Sequence, residues 1–392
     1  MRLEDFVDAR AVEALSRPMS DALGLPGVCY GEAFYEFERQ SLFPRTWCPV
    51  AVASEIPDPG DVLPVHLAEW PLILTRTEEG EVKAFYNVCR HRGMKLVARP
   101  CRHRQRMACP WHGWTYDLGG NLVATPNYGG PGKQDSGSLD RTQLGLKPVR
   151  VGLWHDYVLV NLDGRAPALE EHMRDCDQFL STYPFQALQY GATWETVYEG
   201  NWKLSVEGGI EEYHIPWVHA QYVDGMVDYD TRFDLGRRCH IGIDITMTYR
   251  QTIDEPNSPQ SVLPPLPGRT NEGPWSVYFV GLFPVGFMSL HRNHAVLGLY
   301  TPDGWNRTRV VLHHYYAGSV AVDPRYAEAR RLWEDTLNLV FQQDADFVKT
   351  LHENTQKRDA LSCETRFAPY WEPPVRHFQR LLVATLNGGS LK

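Results

Sequence analysis

The 392-residue chain has no apolar run of the roughly 18 residues that a membrane-spanning helix needs, so none is expected. Its start, MRLEDFVDARAVEALSRP, is charged throughout and lacks the apolar stretch of a signal peptide. A cytoplasmic protein is therefore the expectation. An excess of positive charge is absent too. Lys and Arg total 39 against 48 Asp and Glu, a formal net charge of −9, which argues against nucleic acid or an anionic membrane as the main partner. The eight cysteines are scattered, not spaced as a disulfide framework, as suits a reducing compartment. No GxGxxG or flavin-type motif occurs, and GGPGK at 129–133 lacks the spacing of a phosphate-binding loop. Such a chain cannot take electrons from a nicotinamide unaided. Internal repeats and low-complexity tracts are also missing.

What is present suits a globular protein of two or three domains. Hydrophobic residues make up 43% and charged residues 22%. Twelve Trp, 19 Tyr and 15 Phe suffice for large cores and an apolar pocket. Residues 33–46 read as a short amphipathic helix. From Trp47 to Asp163 short strands such as PLILTR, VKAFYNV and YVLVNL alternate with Gly, Pro and Asp turns. Residues 165–190 are helical in character, and a second domain begins near Trp194. Within it WSVYFVGLF, GFMSLHR and RVVLHHYYAG read as strands. Residues 252–275 form a long irregular stretch, either a pocket lid or a surface excursion. A long helix near the end is opened by Asp323 and Pro324.

Two constellations carry chemistry. The first is Cys89-x-His91, seventeen residues, then Cys109-x-x-His112. A Rieske [2Fe–2S] cluster needs two thiolates on one iron and two imidazoles on the other. Two loops that each supply one Cys and one His can grip both irons. A structural zinc site uses the same residue types, but zinc fingers usually place both cysteines in one half and both histidines in the other. Interleaving favours the cluster. Cys101 lies between the loops without a matching partner and receives no ligand role. Arg90, Arg92, Lys95, Arg99, Arg102, Arg104 and Arg106 crowd this segment. They are either a docking face for an acidic electron donor or charges that offset the cluster and face solvent.

The second constellation is NWKLSVEGGIEEYHIPWVH at 201–219. His214 and His219 would diverge by roughly 140° on an ideal helix. Pro216 between them breaks the ladder, and a distorted turn can then aim both rings at one metal. Glu211, three residues before His214, can reach that ring and hold it from outside. Taken alone the two histidines read as structural. Behind a cluster motif they read as iron ligands. A two-histidine, one-carboxylate triad needs an acid. Trp333, Leu337, Val340, Asp344, Phe347 and Leu351 follow one apolar stripe, whereas Asp346 falls with Asp335, Gln342 and Lys349 on a polar face. A carboxylate on an apolar stripe is costly unless paired or metal-bound, so Asp344 is the expected third ligand.

CRHRG, CPWHGWTY and NWK followed by an acidic residue, two spacers, His, four spacers and His closely resemble the terminal oxygenase, or alpha, components of Rieske non-heme iron oxygenases. The resemblance covers nearly the whole chain. It implies an α+β fold: an N-terminal helical segment (1–46) packing on the catalytic domain, a β-rich Rieske domain (47–165), and a helix-grip, SRPBCC-like catalytic domain (166–392) with an antiparallel sheet and a long C-terminal helix. It implies a [2Fe–2S] cluster on Cys89, His91, Cys109 and His112, and Fe(II) on His214, His219 and Asp344. Met94 and Trp111 stand where respiratory relatives carry a disulfide, which implies a cluster of the lower-potential type. The same resemblance implies a separate NAD(P)H-dependent reductase, with or without a ferredoxin, and a ring-shaped homotrimer in which Glu211 bridges to a neighbour's His112. The implied reaction is hydroxylation of a small organic substrate with O2, by monooxygenation or cis-dihydroxylation, as in aromatic compound catabolism. Most members have Asp at the place of Glu211, and many have Asn at that of Gly208. Glu there resembles the choline and carnitine monooxygenase branches and tilts the expectation toward monooxygenation or oxidative demethylation. A Rieske electron carrier without oxygenase activity is the alternative of another class. Phe279, Phe283, Phe287 and Met288 are candidate pocket residues. Asn201 is placed near the iron or in packing, and His66, His240, His313, His314 and His377 are read as structural or surface residues.

Overall fold

The computed structural model of the chain describes residues 1–134, 139–219, 245–253, 262–269, 275–355 and 357–388. These divide into two compact units, Phe43–Leu169, and Met1–Leu42 together with Glu170–Lys392.

The Phe43–Leu169 unit is built from short strands because turn residues interrupt its apolar runs every few positions. Strands β1 (Cys48–Val52), β2 (Val62–Leu67), β3 (Trp70–Arg76), β4 (Val82–Tyr86), β5 (Arg106–Ala108), β6 (Thr115–Asp117), β7 (Leu122–Ala124), β8 (Pro148–Trp154) and β9 (Tyr157–Asn161) form two antiparallel sheets. The larger has the order β1-β9-β8-β4-β3-β2 and the smaller β5-β6-β7. Strand β9, YVLVN, is buried at every position because it lies inside the larger sheet. A core of Ile73, Phe85, Leu96, Met107, Trp114, Tyr116 and Leu122 also encloses Cys89 and Cys109.

In the other unit helices α1 (Ala9–Ser16) and α2 (Glu32–Ser41) come first. Two short helices, α3 (Leu169–His172) and α4 (Arg174–Phe179), occupy part of the stretch expected to be helical. Strands β10 (Leu188–Tyr198), β11 (Ile245–Ile253), β12 (Trp275–Leu282), β13 (Gly286–Leu290), β14 (His294–Pro302) and β15 (Thr308–Ala317) form one antiparallel sheet ordered β10-β15-β14-β13-β12-β11. Helices α5 (Trp202–Gly209) and α6 (Ile215–Val218) follow β10, and α7 (Ala327–Thr355) and α8 (Pro373–Leu386) close the chain. No helix among the described residues is long and apolar enough to cross a membrane. Most of the 252–275 stretch, and His240, lie outside the described residues. Its described part is anchored by buried Leu263 and Leu266.

Asp323 caps a single 3₁₀ turn, from which α7 continues. The buried stripe of α7 differs from the expected one at its C-terminal end. Phe347 and Leu351 are exposed, while Val348, His352 and Thr355 are buried. At 3.6 residues per turn, the face that holds Trp333 and Phe341 returns at 348, 352 and 355.

A buried ion pair ties helix α2 to helix α5. Lys203 of α5 and Glu38 of α2 are both wholly buried, with Nζ at 2.8 and 2.9 Å from the two carboxylate oxygens. Trp202 Nε1 donates to Glu38 at 3.1 Å, and the ammonium sits over the rings of Tyr30, Phe34 and Trp202. Removing one partner strands the other in a low dielectric. Lys203→Met is therefore expected to lower unfolding free energy by about 3–5 kcal/mol. Adding Glu38→Leu to it should recover part of the loss, as read from urea midpoints of the three proteins.

Candidate metal centres

The two loops of the Phe43–Leu169 unit share one backbone design. Cys89 N–H donates to Met94 O at 2.8 Å, and Gly93 N–H to Cys89 O at 3.0 Å. In the second loop Cys109 N–H donates to Trp114 O at 2.8 Å, and Gly113 N–H to Cys109 O at 3.0 Å. Each turn closes through a glycine at positive φ, +77° at Gly93 and +70° at Gly113, where a side chain would be strained. The result brings the four expected ligands together. The thiols of Cys89 and Cys109 are buried, and the rings of His91 and His112 lie 4.6 Å apart at the outer end. His91 stacks on Trp114 at 4.9 Å, and its Nδ1 is buried without a hydrogen-bond partner. Burial, then the charges of His112 and Arg92, hold the His91 pKa below its ordinary value, so the ring is neutral, as a metal ligand must be. Tyr116 Oη accepts from Arg90 N–H at 3.0 Å and lies 3.5 Å from Cys89 Sγ.

The second set lies in the other unit. Helix α6 has four residues, with His214 as its N-cap and His219 as its C-cap. The divergence expected of an ideal helix therefore does not arise. The rings stand 5.2 Å apart at 78°. Each imidazole is held from outside. Glu211 bonds His214 Nδ1 through one oxygen, and its other oxygen accepts from the N–H groups of Tyr213 and His214. His219 Nδ1 lies 2.9 Å from Gln343 Oε1. An amide oxygen only accepts, so Nδ1 carries the proton and Nε2 keeps its lone pair. Asp344 Oδ1 lies 3.0 Å from His219 Nε2 and 3.7 Å from His214 Nε2. Among the described residues, His214, His219 and Asp344 are the one group of three or more whose ligand-type atoms lie within 4.8 Å of one another. Burial opposes charge on His214, but the bond and charge of Glu211 and then the charge of Asp344 outweigh it and raise its pKa. His219 Nε2 is buried without a hydrogen-bond partner. Two lone pairs and a carboxylate aimed at one point fit a divalent metal.

A cavity of about 100 Å³ opens on this triad. Phe279 and Phe287 line it, as expected, with Tyr300, Trp333 and Phe341. Phe283 and Met288 do not. Strand alternation turns Met288 to the opposite face from Phe287 and Ser289, and Phe283 packs on Phe378. Gly209 is required where Tyr300 approaches, since a Cβ there would stand 2.2 Å from its hydroxyl.

Asp346, the rejected acid, is exposed. Asn201 caps α5, accepting from Lys203 N–H and donating to the carbonyls of Tyr30 and Trp305, and it does not line the cavity. Sequence reasoning missed Gln343, which no pattern marks except its place next to Asp344. It also missed Ser289 and His291 of the cavity wall, polar groups inside an apolar run, whereas Trp333 was read as part of the stripe that carries Asp344.

Comparison with known proteins follows this division. Residues 185–388 match the family described as Ring hydroxylating alpha subunit (catalytic domain), and residues 46–134 match the Rieske [2Fe-2S] domain. The glycine betaine monooxygenase oxygenase subunit of Chromohalobacter salexigens is 31% identical over 245 residues, 58% of this chain and 54% of that one. The anthranilate 1,2-dioxygenase large subunit of Acinetobacter baylyi is 32% identical over 197 residues, 48% and 41% of the two. The chain thus spans about half the length of the curated relatives it matches. Among solved structures, a quaternary ammonium Rieske monooxygenase superposes with a TM-score of 0.79 at 20% identity, covering 95% of this chain and 98% of that one. Naphthalene 1,2-dioxygenase from Rhodococcus sp. does so with 0.78 at 22%, covering 96% and 97%. At such identities the likeness is one of fold. With more than half its length in the catalytic-domain match, the chain belongs to the ring-hydroxylating alpha-subunit family, as a Rieske oxygenase alpha chain with a [2Fe–2S] domain and a mononuclear-iron catalytic domain.

Proposed function

We propose that this chain is a terminal oxygenase that uses O2 and electrons from a separate NAD(P)H-dependent reductase, directly or through a ferredoxin, to hydroxylate a small organic substrate. The observation that carries the reading is the triad His214, His219 and Asp344 opening on an aromatic-walled cavity in a chain that also holds the paired Cys–His loops. In this reading Cys89, His91, Cys109 and His112 hold the cluster, and His214, His219 and Asp344 hold Fe(II). The cluster would supply single electrons and the iron would activate O2. The chain's own residues do the positioning. Glu211 and Gln343 keep both Nε2 atoms turned inward, and Phe279, Phe287 and Phe341 exclude water from the reacting centre. A cavity of about 100 Å³ favours a substrate of few atoms.

Monooxygenation, including oxidative demethylation, is the favoured reaction because Glu211 replaces the commoner Asp and because a glycine betaine monooxygenase subunit is among the relatives. Ring cis-dihydroxylation is the second reading, supported by the anthranilate and biphenyl dioxygenase relatives. Product analysis on a panel of quaternary amines and aromatic acids with a surrogate reductase separates the two. A cytoplasmic setting fits the seven described cysteines, all free thiols.

A homotrimer is part of the proposal. Trp217 is 81% exposed beside His214, and half-exposed Tyr213 stacks on Trp371. Half-exposed Trp111 and Met94 flank the cluster loops. Each candidate centre is thus rimmed by apolar surface that another copy of the chain would cover. One related structure is described as giving insight into inter-subunit electron transfer. The exposed arginines of 92–106 suit an acidic donor, though Arg102 is engaged by Asp61 at 2.6 Å.

Metal analysis tests the assignment first. The purified chain should hold three irons, Asp344→Ala two, and Asp346→Ala three. Two in the parent supports an electron carrier instead, and three in Asp344→Ala rejects that ligand. Glu211→Gln should keep both centres loaded yet slow electron delivery to the mononuclear site at least tenfold in single-turnover kinetics. Unchanged kinetics would remove Glu211 from the bridge. Tyr116→Phe should lower the cluster potential by on the order of 60 mV, one charge-assisted hydrogen bond of about 1.4 kcal/mol, with iron content unchanged in a redox titration.

A further inference from the structure

One wall of the cavity is a set of three nearly parallel rings. Phe287 of β13 lies 5.0 Å from Tyr300 of β14 at 29° and 5.7 Å from Phe341 of α7 at 21°. Tyr300 and Phe341 stand 6.5 Å apart at 27°. All three line the cavity. Phe341 precedes Asp344 by three residues on α7, so the two share a face of that helix.

The ring of Phe287 lies across the neighbouring strand. Phe287 and Gly298 are directly opposed in the β13–β14 register, and opposed residues of an antiparallel pair project to the same face. A Cβ on Gly298 would stand 1.9 Å from Phe287 Cε1, 2.1 Å from Cζ and 2.6 Å from Cδ1. The ring therefore occupies the place of the missing side chain. Strand β14 is internal to the six-stranded sheet, where a glycine weakens the strand and leaves nothing to pack. The φ of Gly298 is not positive, so the backbone does not call for glycine either. What glycine supplies here is room for the ring. Gly298 itself does not line the cavity.

We propose that Gly298, from outside the cavity, sets the size limit of the substrate by seating Phe287, and that this limit excludes an aromatic ring. The cavity bounded by the described residues measures about 100 Å³, smaller than the ~150 Å³ apolar cavity that admits benzene. Ordinary carbon–carbon contact is about 3.5–4.0 Å, so a methyl group at 298 would drive the ring away by roughly 1.5–2 Å. The β14 backbone lies beneath the ring, and Tyr300 and Phe341 flank it. The free space left to it is the cavity. Removing the ring does the opposite and opens the wall into the vacated seat. Phe287 is thus the specificity-determining residue and Gly298 the positioning residue behind it. The inference rests on the cavity being the substrate site of the proposed oxygenase, and it gives that site a compact aliphatic substrate.

Binding to the anaerobic, iron-loaded chain tests it without turnover, with benzene as the calorimetric probe and xenon in pressurised crystals. The parent should take xenon into the cavity and bind benzene weakly. Phe287→Ala should bind benzene at least tenfold more tightly. Gly298→Ala should exclude xenon, with the Phe287 ring displaced into the cavity. Added to Phe287→Ala, it should change benzene affinity less than twofold, because no ring remains to be displaced. Benzene binding the parent as tightly as it binds Phe287→Ala would overturn the size limit, and so would a parent that admits neither probe. Xenon retained in Gly298→Ala with the ring unmoved would overturn the seat. A doubled variant that loses benzene tenfold would do the same, since glycine would then serve the strand and not the ring. Should Gly298→Ala alone fail to fold, the doubled variant decides. Parental iron content and the benzene affinity of Phe287→Ala assign the clash to the ring, and a second failure to fold rejects it. Iron in the parent is counted separately. A chain without the third iron fails the oxygenase reading, whereas a three-iron chain indifferent to these substitutions fails this inference alone.

Discussion

Everything at the mononuclear centre depends on how two imidazoles are kept from turning over. A histidine with both nitrogens free presents either one to a metal. Here each Nδ1 is tied down outside the site, His214 to Glu211 and His219 to Gln343. Both lone pairs then face Asp344. The arrangement is economical in elements. One broken turn supplies both histidines and one acid, and a single helix, α7, supplies Gln343 and Asp344 at adjacent positions. Adjacent helical residues point about 100° apart, so one reaches the outer edge of His219 while the next reaches its inner edge. The buried Glu38–Lys203 pair fixes the start of α5, from which the chain runs directly into this turn.

The parts of this structure legible in the sequence are those in which ligand types are consecutive or periodic. The cluster loops read directly, because each brings its own Cys, His and glycine within five residues and needs nothing distant to close. Asp344 was legible for another reason: a carboxylate breaks the apolar rhythm of α7, while Asp346 keeps the polar one. The same periodicity failed within the next two turns, at Phe347 and Leu351. A stripe chosen by apolar residues drifts to whichever ones are available, and the true face there carries His352 and Thr355. The pocket strands show the complementary limit. Period-two alternation told which residues share a face but not which face meets α7, so Phe287 was placed correctly and Met288 was not. Gln343, Ser289 and His291 were illegible, since a polar side chain inside an apolar segment becomes informative only when its neighbours from other elements are known.

Polar burial is distributed unevenly around the cavity. At the triad the unsatisfied atoms are lone pairs, which a cation relieves. In the wall Trp333 Nε1 is a buried donor without a partner, which only an acceptor relieves. The walls between them are aromatic and satisfy neither.

The glutamate at 211 acquires a physical meaning from the same geometry. Its carboxylate folds back over its own turn. One oxygen takes His214 Nδ1, and the other takes the backbone N–H groups of Tyr213 and His214. It thus closes the turn that leads into the short helix α6 as well as anchoring the imidazole. An aspartate at this position would have one methylene less with which to span both. The longer side chain lets a single residue hold the turn and the ring together, with both carboxylate oxygens fixed by its own segment of chain.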